Sequence, residues 1–183
     1  MKKIPTVFLR DFTDPRHPVL TDHHNSDCAW VFAGEGVATQ KYDGTCCRWD
    51  GKEWWTRREV KPGKPRPPGY VEVSADPTTG KLIGWEPVMQ SGFAKMLAEA
   101  LINEPGRYPI GTFELVGPKI NGNPECATGH KLILHEDAKR LDVSDLTFEG
   151  IRATVLRYAE LGIEGIVWHH PDGRMAKIKA RDL

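Results

Sequence analysis

The sequence predicts an α+β fold with largely antiparallel sheets flanked by helices, and three observations lead to this class. Short runs rich in β-branched and aromatic residues recur along the chain between turn residues. Few segments have apolar residues at helical spacing. Strands and helices do not alternate regularly, unlike the repeating pattern of a parallel sheet. Because 183 residues suffice for one domain with a real core, we predict a single domain over residues 1–183, with residues 1–36 as an N-terminal extension packed on a core of residues 37–183.

The strands are predicted from these runs and from the turns between them. In chain order they are residues 37–39, 45–49, 53–57, 82–88, 112–116, 131–135, 163–169 and 174–180. Asp50-Gly51 is typical of a β-hairpin and joins the second strand to the third. Residues 61–69 contain four prolines, which can sustain neither a ladder nor a helix, so this segment is a loop.

Two helices are predicted from apolar residues three and four positions apart. Ser91 caps the first helix, residues 92–102. Thr147 begins the second helix, and Gly162 ends it. The residues expected to face inward from the second helix are Ile151, Val155, Leu156 and Ala159.

Composition predicts an ordinary soluble protein, which we expect to be cytoplasmic. Hydrophobic residues make up 39% and charged residues 27% of the chain, and no apolar run approaches the length of a membrane span. The start of the sequence lacks the apolar segment of a signal peptide. The four cysteines have no C-x-x-C spacing, which favours reduced thiols over a zinc site formed by His23, His24 and Cys28.

Charge is zero overall but uneven along the chain. A net charge of zero argues against a protein that coats nucleic acid indiscriminately. Basic residues are concentrated between Arg48 and Arg66 and again after Arg174. Two local basic segments on a neutral protein indicate a focused phosphate site.

Lys41 is the candidate nucleophile of the chain. It ends a predicted strand and precedes Asp43-Gly44, a turn that would fix the direction of its side chain. A free lysine amine is only about 0.1% neutral at pH 7.4, so a nucleophilic lysine needs nearby cations. Lys177, Lys179 and a divalent metal ion are the candidates for these cations.

Near the end of the chain, a carboxylate and two lysines complete the set. Lys177 and Lys179 lie two positions apart on a predicted strand, so both side chains leave the same face. A triphosphate between them would relieve their mutual repulsion. Glu164 starts an otherwise apolar strand, and a carboxylate there suits a magnesium ligand.

Other candidate residues lie between these two motifs. Glu114 interrupts an apolar strand, which indicates either an ion pair with an arginine or recognition of ribose hydroxyls. Arg57 or Arg58, next to Trp54-Trp55, suits a phosphate or a polynucleotide end. The turn-rich loop 117–124 could close over a nucleotide or an RNA end.

With these residues, the chain resembles the covalent nucleotidyltransferases, which comprise ATP-dependent RNA and DNA ligases and RNA capping guanylyltransferases. Lys41-Tyr-Asp-Gly resembles their motif I, and Thr56-Arg57 resembles the arginine-bearing motif that follows it. Phe113-Glu114 resembles motif III. Glu164-Gly-Ile-Val resembles motif IV, and Lys177-Ile-Lys179 resembles motif V. The longer wording around Lys41 and in residues 113–124 is most similar to a small family of 5′-to-3′ RNA ligases that includes a vertebrate RNA repair enzyme.

The resemblance implies a nucleotidyltransferase domain of the ATP-grasp-like ligase adenylation type. It also implies an ATP-dependent RNA ligase that joins RNA 5′-phosphate and 3′-hydroxyl ends through a lysyl-AMP and an adenylated RNA, with ATP and Mg²⁺ or Mn²⁺ and no obligate protein partner. Lys41 would be the catalytic residue, and Glu164 the metal ligand. The nucleotide-binding residues implied in this way are Gln40 at adenine, Glu114 at ribose, Lys177 and Lys179 at the α-phosphate, and also Arg57, Glu164 and Lys41.

Two departures from the family pattern leave alternatives open. Many ligases have an arginine where this chain has Cys46. The contact that this arginine makes with the terminal phosphate would be made here by Arg48 or Arg57. Arg58 and Lys119 are further candidates for binding the RNA end. The sequence ends four residues after Lys179, and we therefore expect no OB-fold domain. The alternatives to an RNA ligase are a capping-type guanylyltransferase, the catalytic domain of a DNA ligase, or a non-catalytic RNA-binding module.

Overall fold

A computed structural model describes residues 1–14, 18–77 and 79–183, which form two compact units. The first unit contains residues 1–3 and 43–137, and the second contains residues 4–42 and 138–183. The chain therefore passes from one unit to the other three times, after Lys3, after Tyr42 and after Asp137. The prediction of one domain with an N-terminal extension stays a prediction.

The elements follow in chain order. The strands are β1 (Phe8–Asp11), β2 (Val19–His24), β3 (Val37–Lys41), β4 (Thr45–Trp49), β5 (Trp54–Val60), β6 (Val71–Ala75), β7 (Leu82–Pro87), β8 (Gly111–Val116), β9 (Lys131–Leu134), β10 (Gly165–His169) and β11 (Met175–Lys179). The helices are α1 (Ala29–Phe32), α2 (Ala94–Asn103) and α3 (Phe148–Glu160). The predicted class is confirmed as α+β with mostly antiparallel sheets.

The first unit contains a six-stranded antiparallel sheet in the order β6-β7-β5-β4-β8-β9. One face of this sheet packs its buried side chains, including Cys47, Phe113 and Leu115, with Leu97 and Ala100 of α2. Trp54 lies on the same face and packs edge-on against Phe113. Trp54 is therefore packed against the core of this unit.

The second unit contains the three-stranded antiparallel sheet β11-β10-β3 and the hairpin β1-β2. Both edges of the three-stranded sheet are covered. Residues 5–7 exchange backbone hydrogen bonds with Lys177 on one edge, and residues 139–141 pair with β3 on the other. Covered edges protect the sheet from pairing with another chain.

The core of the second unit lies on one face of this sheet. Ile166, Trp168, Ala176 and Ile178 are buried there, together with Ile151 and Val155 of α3. Thr147 caps α3 by accepting a hydrogen bond from the backbone N–H of Gly150, as expected. The inward position predicted for Leu156 is wrong, because this side chain is 41% exposed.

Some other local expectations need correction. β1, β2 and β6 were not predicted; at least half of the side chains in each are exposed, and only β6 alternates apolar and polar residues. The helix α2 begins at Ala94, since Ser91 instead ends a short 3-10 turn and accepts a hydrogen bond from Phe93 N–H. No helix in the described ranges has the length and apolar character needed to cross a membrane. The four cysteines are free, and Cys28 is fully buried.

Candidate active site

One face of the three-stranded sheet in the second unit carries Lys41, Lys177 and Lys179, three of the predicted site residues. The register pairs Gly165 of β10 with Lys41 on one side and with Lys179 on the other. Val167, two residues further along β10, is paired with Thr39 and Lys177 in the same way. Because directly paired residues project to the same side, these side chains lie on the face opposite the core.

Glu164 binds both Lys41 and Lys179. Its Oε2 accepts a hydrogen bond from Lys41 Nζ, and its Oε1 accepts one from Lys179 Nζ at 2.6 Å. The three side chains are between 13% and 18% exposed. Lys41 Nζ also lies 3.3 Å from the carbonyl oxygen of Tyr42. The two lysines thus share one carboxylate, an arrangement that sequence reasoning did not anticipate.

The ion pairs have a clear effect on Glu164. Burial by itself raises the pKa of the Glu164 carboxyl, but the hydrogen bonds from Lys179 and Lys41 and their charges outweigh burial, so the pKa lies below its usual value. The carboxylate in turn holds both lysine side chains through hydrogen bonds. Lys41 is therefore held in a fixed position on the same carboxylate as Lys179.

Gly165 is required by the packing around this cluster. A Cβ atom at position 165 would collide with the carbonyl oxygen of Ile178 and lie 2.8 Å from Lys179 Cα. The glycine therefore allows β10 and β11 to approach closely. It also leaves the floor between Lys41 and Lys179 without a side chain.

The remaining predicted residue of β3 faces the other way. Gln40 is paired with Ile166, whose side chain belongs to the core, so Gln40 projects from the face opposite Lys41. Its backbone N–H donates to the Lys139 carbonyl at 2.7 Å. The contact of Gln40 with adenine stays a prediction.

In the first unit, the Asp43-Gly44 turn is held by three side chains. The backbone N–H of Asp43 donates to Glu125 Oε1 at 3.0 Å, and that of Gly44 donates to Glu114 Oε1 at 3.1 Å. Asn121 Nδ2 donates to Asp43 Oδ1 at 2.9 Å and to the Gly44 carbonyl at 3.0 Å. Asn121 and Glu125 lie in and just after the loop 117–124, which therefore supports this turn.

Glycine at position 44 has a steric reason. A Cβ atom there would collide with the carbonyl oxygen of Leu115 and lie 2.9 Å from Val116 Cγ1. The turn after Lys41 thus packs directly on β8, the strand that carries Glu114.

Glu114 has a second partner in His135. His135 Nε2 lies 3.0 Å from Glu114 Oε2, and His135 Nδ1 lies 2.9 Å from Thr112 Oγ1. Glu114 is 14% exposed, so its carboxylate is partly desolvated and needs such partners. Of the two alternatives for Glu114, an arginine ion pair or ribose recognition, the first is not supported by these contacts, which are with a histidine and a backbone N–H.

Two of the predicted arginines share the face of Glu114. Cys46 is paired with Glu114 and Arg48 with Thr112, while Arg57 projects to the same side as Trp55, the partner of Arg48. Arg57 is 21% exposed and lies 3.3 Å from Glu59. Burial raises the pKa of the Cys46 thiol to about 12, and the neighbouring Glu114 acts in the same direction.

Two lower-ranked candidates lie elsewhere in the first unit. Arg58 projects to the opposite side of β5 from Arg57 and is exposed. Lys119 is exposed in the loop after β8, and its backbone N–H lies 3.4 Å from His130 Nε2. Their contacts with an RNA end stay predictions.

The chain is similar to an RNA ligase. It is 25% identical to rat (Rattus norvegicus) RNA ligase 1 over 224 aligned positions, which cover 80% of this chain and 67% of the rat protein. No protein-family model matches the chain.

Sequence reasoning missed the residues that hold the site together. Asn121, Glu125 and His135 bind the Asp43-Gly44 turn or Glu114 through side chains whose partners are distant in sequence. The sequence does carry one signal, because Asn121 has a left-handed backbone with a φ of 48°, and asparagine adopts that conformation more readily than most residues. Nothing in the local pattern indicates what its side chain contacts.

Proposed function

We propose that this protein is an ATP-dependent RNA ligase that joins a 5′-phosphate to a 3′-hydroxyl through a lysyl-AMP intermediate on Lys41. The observation that supports it best is the contact of Lys41 with Glu164, shared with Lys179, on the sheet face opposite the core. The similarity to rat RNA ligase 1 agrees with this function. A nucleotidyltransferase fold is part of the same proposal.

In the first step, the Lys41 amine attacks the α-phosphorus of ATP. A nitrogen–phosphorus bond forms, the bond from the α-phosphorus to the bridging oxygen breaks, and pyrophosphate leaves. AMP then passes from Lys41 to the 5′-phosphate of RNA, and the 3′-hydroxyl displaces AMP to form the phosphodiester bond. Only the first step requires Lys41 to lose a proton beforehand.

Glu164 and Lys179 prepare Lys41 for this attack. The Glu164 carboxylate fixes the position of the ammonium group before the nucleotide binds, and it is the nearest base to the proton that must leave. Lys179 is held beside it and carries the positive charge that stabilises the charge developing on the α-phosphate. Lys177 projects from the same face of β11 and adds a second cation.

Glu164 also fits the role of a metal ligand. Within residues 1–14, 18–77 and 79–183, no three His, Cys, Asp or Glu side chains are grouped as a metal cage. Mg²⁺ binds through one or two carboxylates, with phosphate oxygens and water as its other ligands, and a carboxylate that accepts two hydrogen bonds has lone pairs left. Glu164 would hold the ion, which would supply neutralisation of phosphate charge.

The first unit contributes recognition in this proposal. Glu114 would bind the ribose hydroxyls through the lone pairs that His135 and Gly44 leave available. Arg48 and Arg57 on the same face would bind the terminal phosphate, since a guanidinium group can bind a phosphate through two hydrogen bonds.

The test is adduct formation with labelled nucleotides. Purified protein incubated with α-labelled ATP and Mg²⁺ or Mn²⁺ should become one adenylate heavier, with the adduct mapped to Lys41. Lys41→Arg should abolish the adduct without loss of stability, because arginine preserves the charge next to Glu164. Lys61→Ala, an exposed loop lysine, is the matched control and should retain labelling.

The other outcomes separate the alternatives. Label from GTP but not ATP would make the protein a capping-type guanylyltransferase. An adduct from ATP that seals nicked DNA but not RNA would make it a DNA ligase. If no nucleotide and metal give an adduct and the protein binds RNA with salt-sensitive affinity, the protein is a non-catalytic RNA-binding module and the proposal is refuted.

A further inference from the structure

The edge of the sheet next to Lys41 carries a fourth cation that the sequence motifs do not include. Arg140 forms an isolated antiparallel bridge with Thr39 of β3. The flanking backbone bonds, from Gln40 N–H to the Lys139 carbonyl and from Leu141 N–H to the Ala38 carbonyl, fix this register. Arg140 therefore lies one strand away from β3 and extends the row of Thr39, Val167 and Lys177.

The register also determines the face on which Arg140 projects. Leu141 packs on the core together with its partner Ala38, so position 141 faces the core. Since side chains alternate along a strand, Arg140 projects to the opposite face, the one that carries Lys41. Arg140 is exposed, and its Cα lies roughly 8 Å from that of Lys41, as expected for a residue one strand across and two residues along.

Long and short side chains form a pattern on this face. In one row, Lys41 and Lys179 flank Gly165. In the next row, Arg140 and Lys177 lie on either side of Thr39 and Val167, and Thr6 follows Lys177 at the covered edge. Thr39 is 5% and Val167 9% exposed. The middle of the face therefore carries short side chains, with the longer cationic side chains on either side. Thr39 is itself fixed, because its hydroxyl donates to the Val167 carbonyl at 3.1 Å.

The charges of this face suit a polyphosphate. Glu164 is bonded to Lys41 and Lys179, in the row of Gly165, and also lies 3.9 Å from Arg181. Arg140 and Lys177 lie in the next row and bring two further positive charges to this face. A nucleoside triphosphate is more highly charged than a terminal RNA phosphate, and a planar guanidinium group binds phosphate oxygens in pairs.

We infer that Arg140 binds the β- and γ-phosphates of ATP, and so determines selection of the triphosphate over the monophosphate. This inference rests on the proposed function, since it names a further substrate contact at the same site. Arg140 makes its contact before pyrophosphate leaves and has no part in sealing an RNA that is already adenylated.

The test compares Arg140→Ala with Lys139→Ala. Lys139 is the adjacent exposed cation, and alternation places it on the other face, so its substitution controls for general loss of charge. Arg140→Ala should raise the KM for ATP in adduct formation about tenfold, a change equivalent to about 1.4 kcal/mol, with kcat nearly unchanged. Arg140→Lys should restore part of the loss, and Lys139→Ala should behave as the wild type.

Binding and sealing measurements identify the phosphate. In calorimetry, Arg140→Ala should weaken binding of ATP and of inorganic tripolyphosphate but not of AMP. Equal weakening of AMP and ATP, or no weakening of either, overturns the inference. Normal adduct formation with slow sealing of pre-adenylated RNA would instead assign Arg140 to the RNA phosphate and also overturns it.

The same measurements distinguish this inference from the proposed function. If Lys41 forms no adduct but Arg140→Ala still loses tripolyphosphate binding selectively, the triphosphate contact holds and the ligase function fails. If wild-type protein forms the adduct and Arg140→Ala has an unchanged KM, the ligase function holds and the Arg140 contact fails. Thermal unfolding of each variant checks that an exposed side chain has been removed without loss of structure.

Discussion

Glu164→Gln removes the charge that joins Lys41 to Lys179. Glutamine has nearly the shape of glutamate but offers one oxygen acceptor, so one of the two ammonium groups loses its partner. Because the carboxylate is only 13% exposed, solvent replaces little of the lost interaction. We expect the free energy of unfolding at pH 7 to fall by roughly 3 kcal/mol, the size seen when one partner of a desolvated charged pair is removed.

The difference between wild type and Glu164→Gln should depend on pH. The pKa of Glu164 in the folded protein lies below the value of about 4.3 expected in the unfolded chain. Its ion pairs therefore contribute fully above that unfolded value, and their contribution is lost as pH falls through the folded pKa. The stability gap should be constant near neutral pH and should close in acid.

Urea unfolding monitored by tryptophan fluorescence at a series of pH values measures this gap. Glu160→Gln is the matched control, because Glu160 is an exposed carboxylate at the end of α3 in the same unit. Its effect should stay within about 0.5 kcal/mol at each pH. A Glu164→Gln gap below 1 kcal/mol at pH 7, or one that persists unchanged in acid, would refute the ion-pair reasoning.

Two further predictions concern the first unit. Gly44→Ala forces a Cβ atom against the Leu115 carbonyl and should lower the free energy of unfolding by about 2 kcal/mol in a urea titration. Gly92→Ala is the control, because no atom lies within 4 Å of the new Cβ, and it should lower the free energy of unfolding by less than about 1 kcal/mol. Equal losses in the two variants would contradict the steric argument. Burial raises the pKa of the Cys46 thiol to about 12, so the reactive thiolate forms only as pH approaches that value. At pH 8, Cys46 should therefore react with iodoacetamide far more slowly than the exposed Cys126, as followed by peptide mass spectrometry. Equal labelling rates would show that Cys46 is not desolvated.

Local patterns were sufficient for several elements. The spacing of Lys177 and Lys179 predicted a shared face, since alternation along a strand does not depend on which strand is its neighbour. Thr147 predicted the start of α3 because an N-cap acts within one turn. Asp50 binds the backbone N–H groups of Lys52 and Glu53, as expected for the hairpin turn.

Contacts between distant segments were outside the reach of such patterns. Lys41 and Glu164 are 123 residues apart in sequence, and they meet because β3 pairs with β10. Asn121 and Asp43 are 78 residues apart and are bonded through a loop that has no regular pattern. Leu156 was assigned to the core from its spacing alone, but its face of α3 is open to solvent.

The sequence by itself determined the α+β class, most strand positions and the residue types of the candidate site, because alternation, turns and caps act over a few neighbouring residues. Only the tertiary structure decided that Glu164 bridges Lys41 and Lys179, that Asn121 and Glu125 hold the turn after Lys41, and that Arg140 shares the face of the lysines. These contacts depend on strand order and register, which are fixed by the burial of whole faces rather than by any short segment.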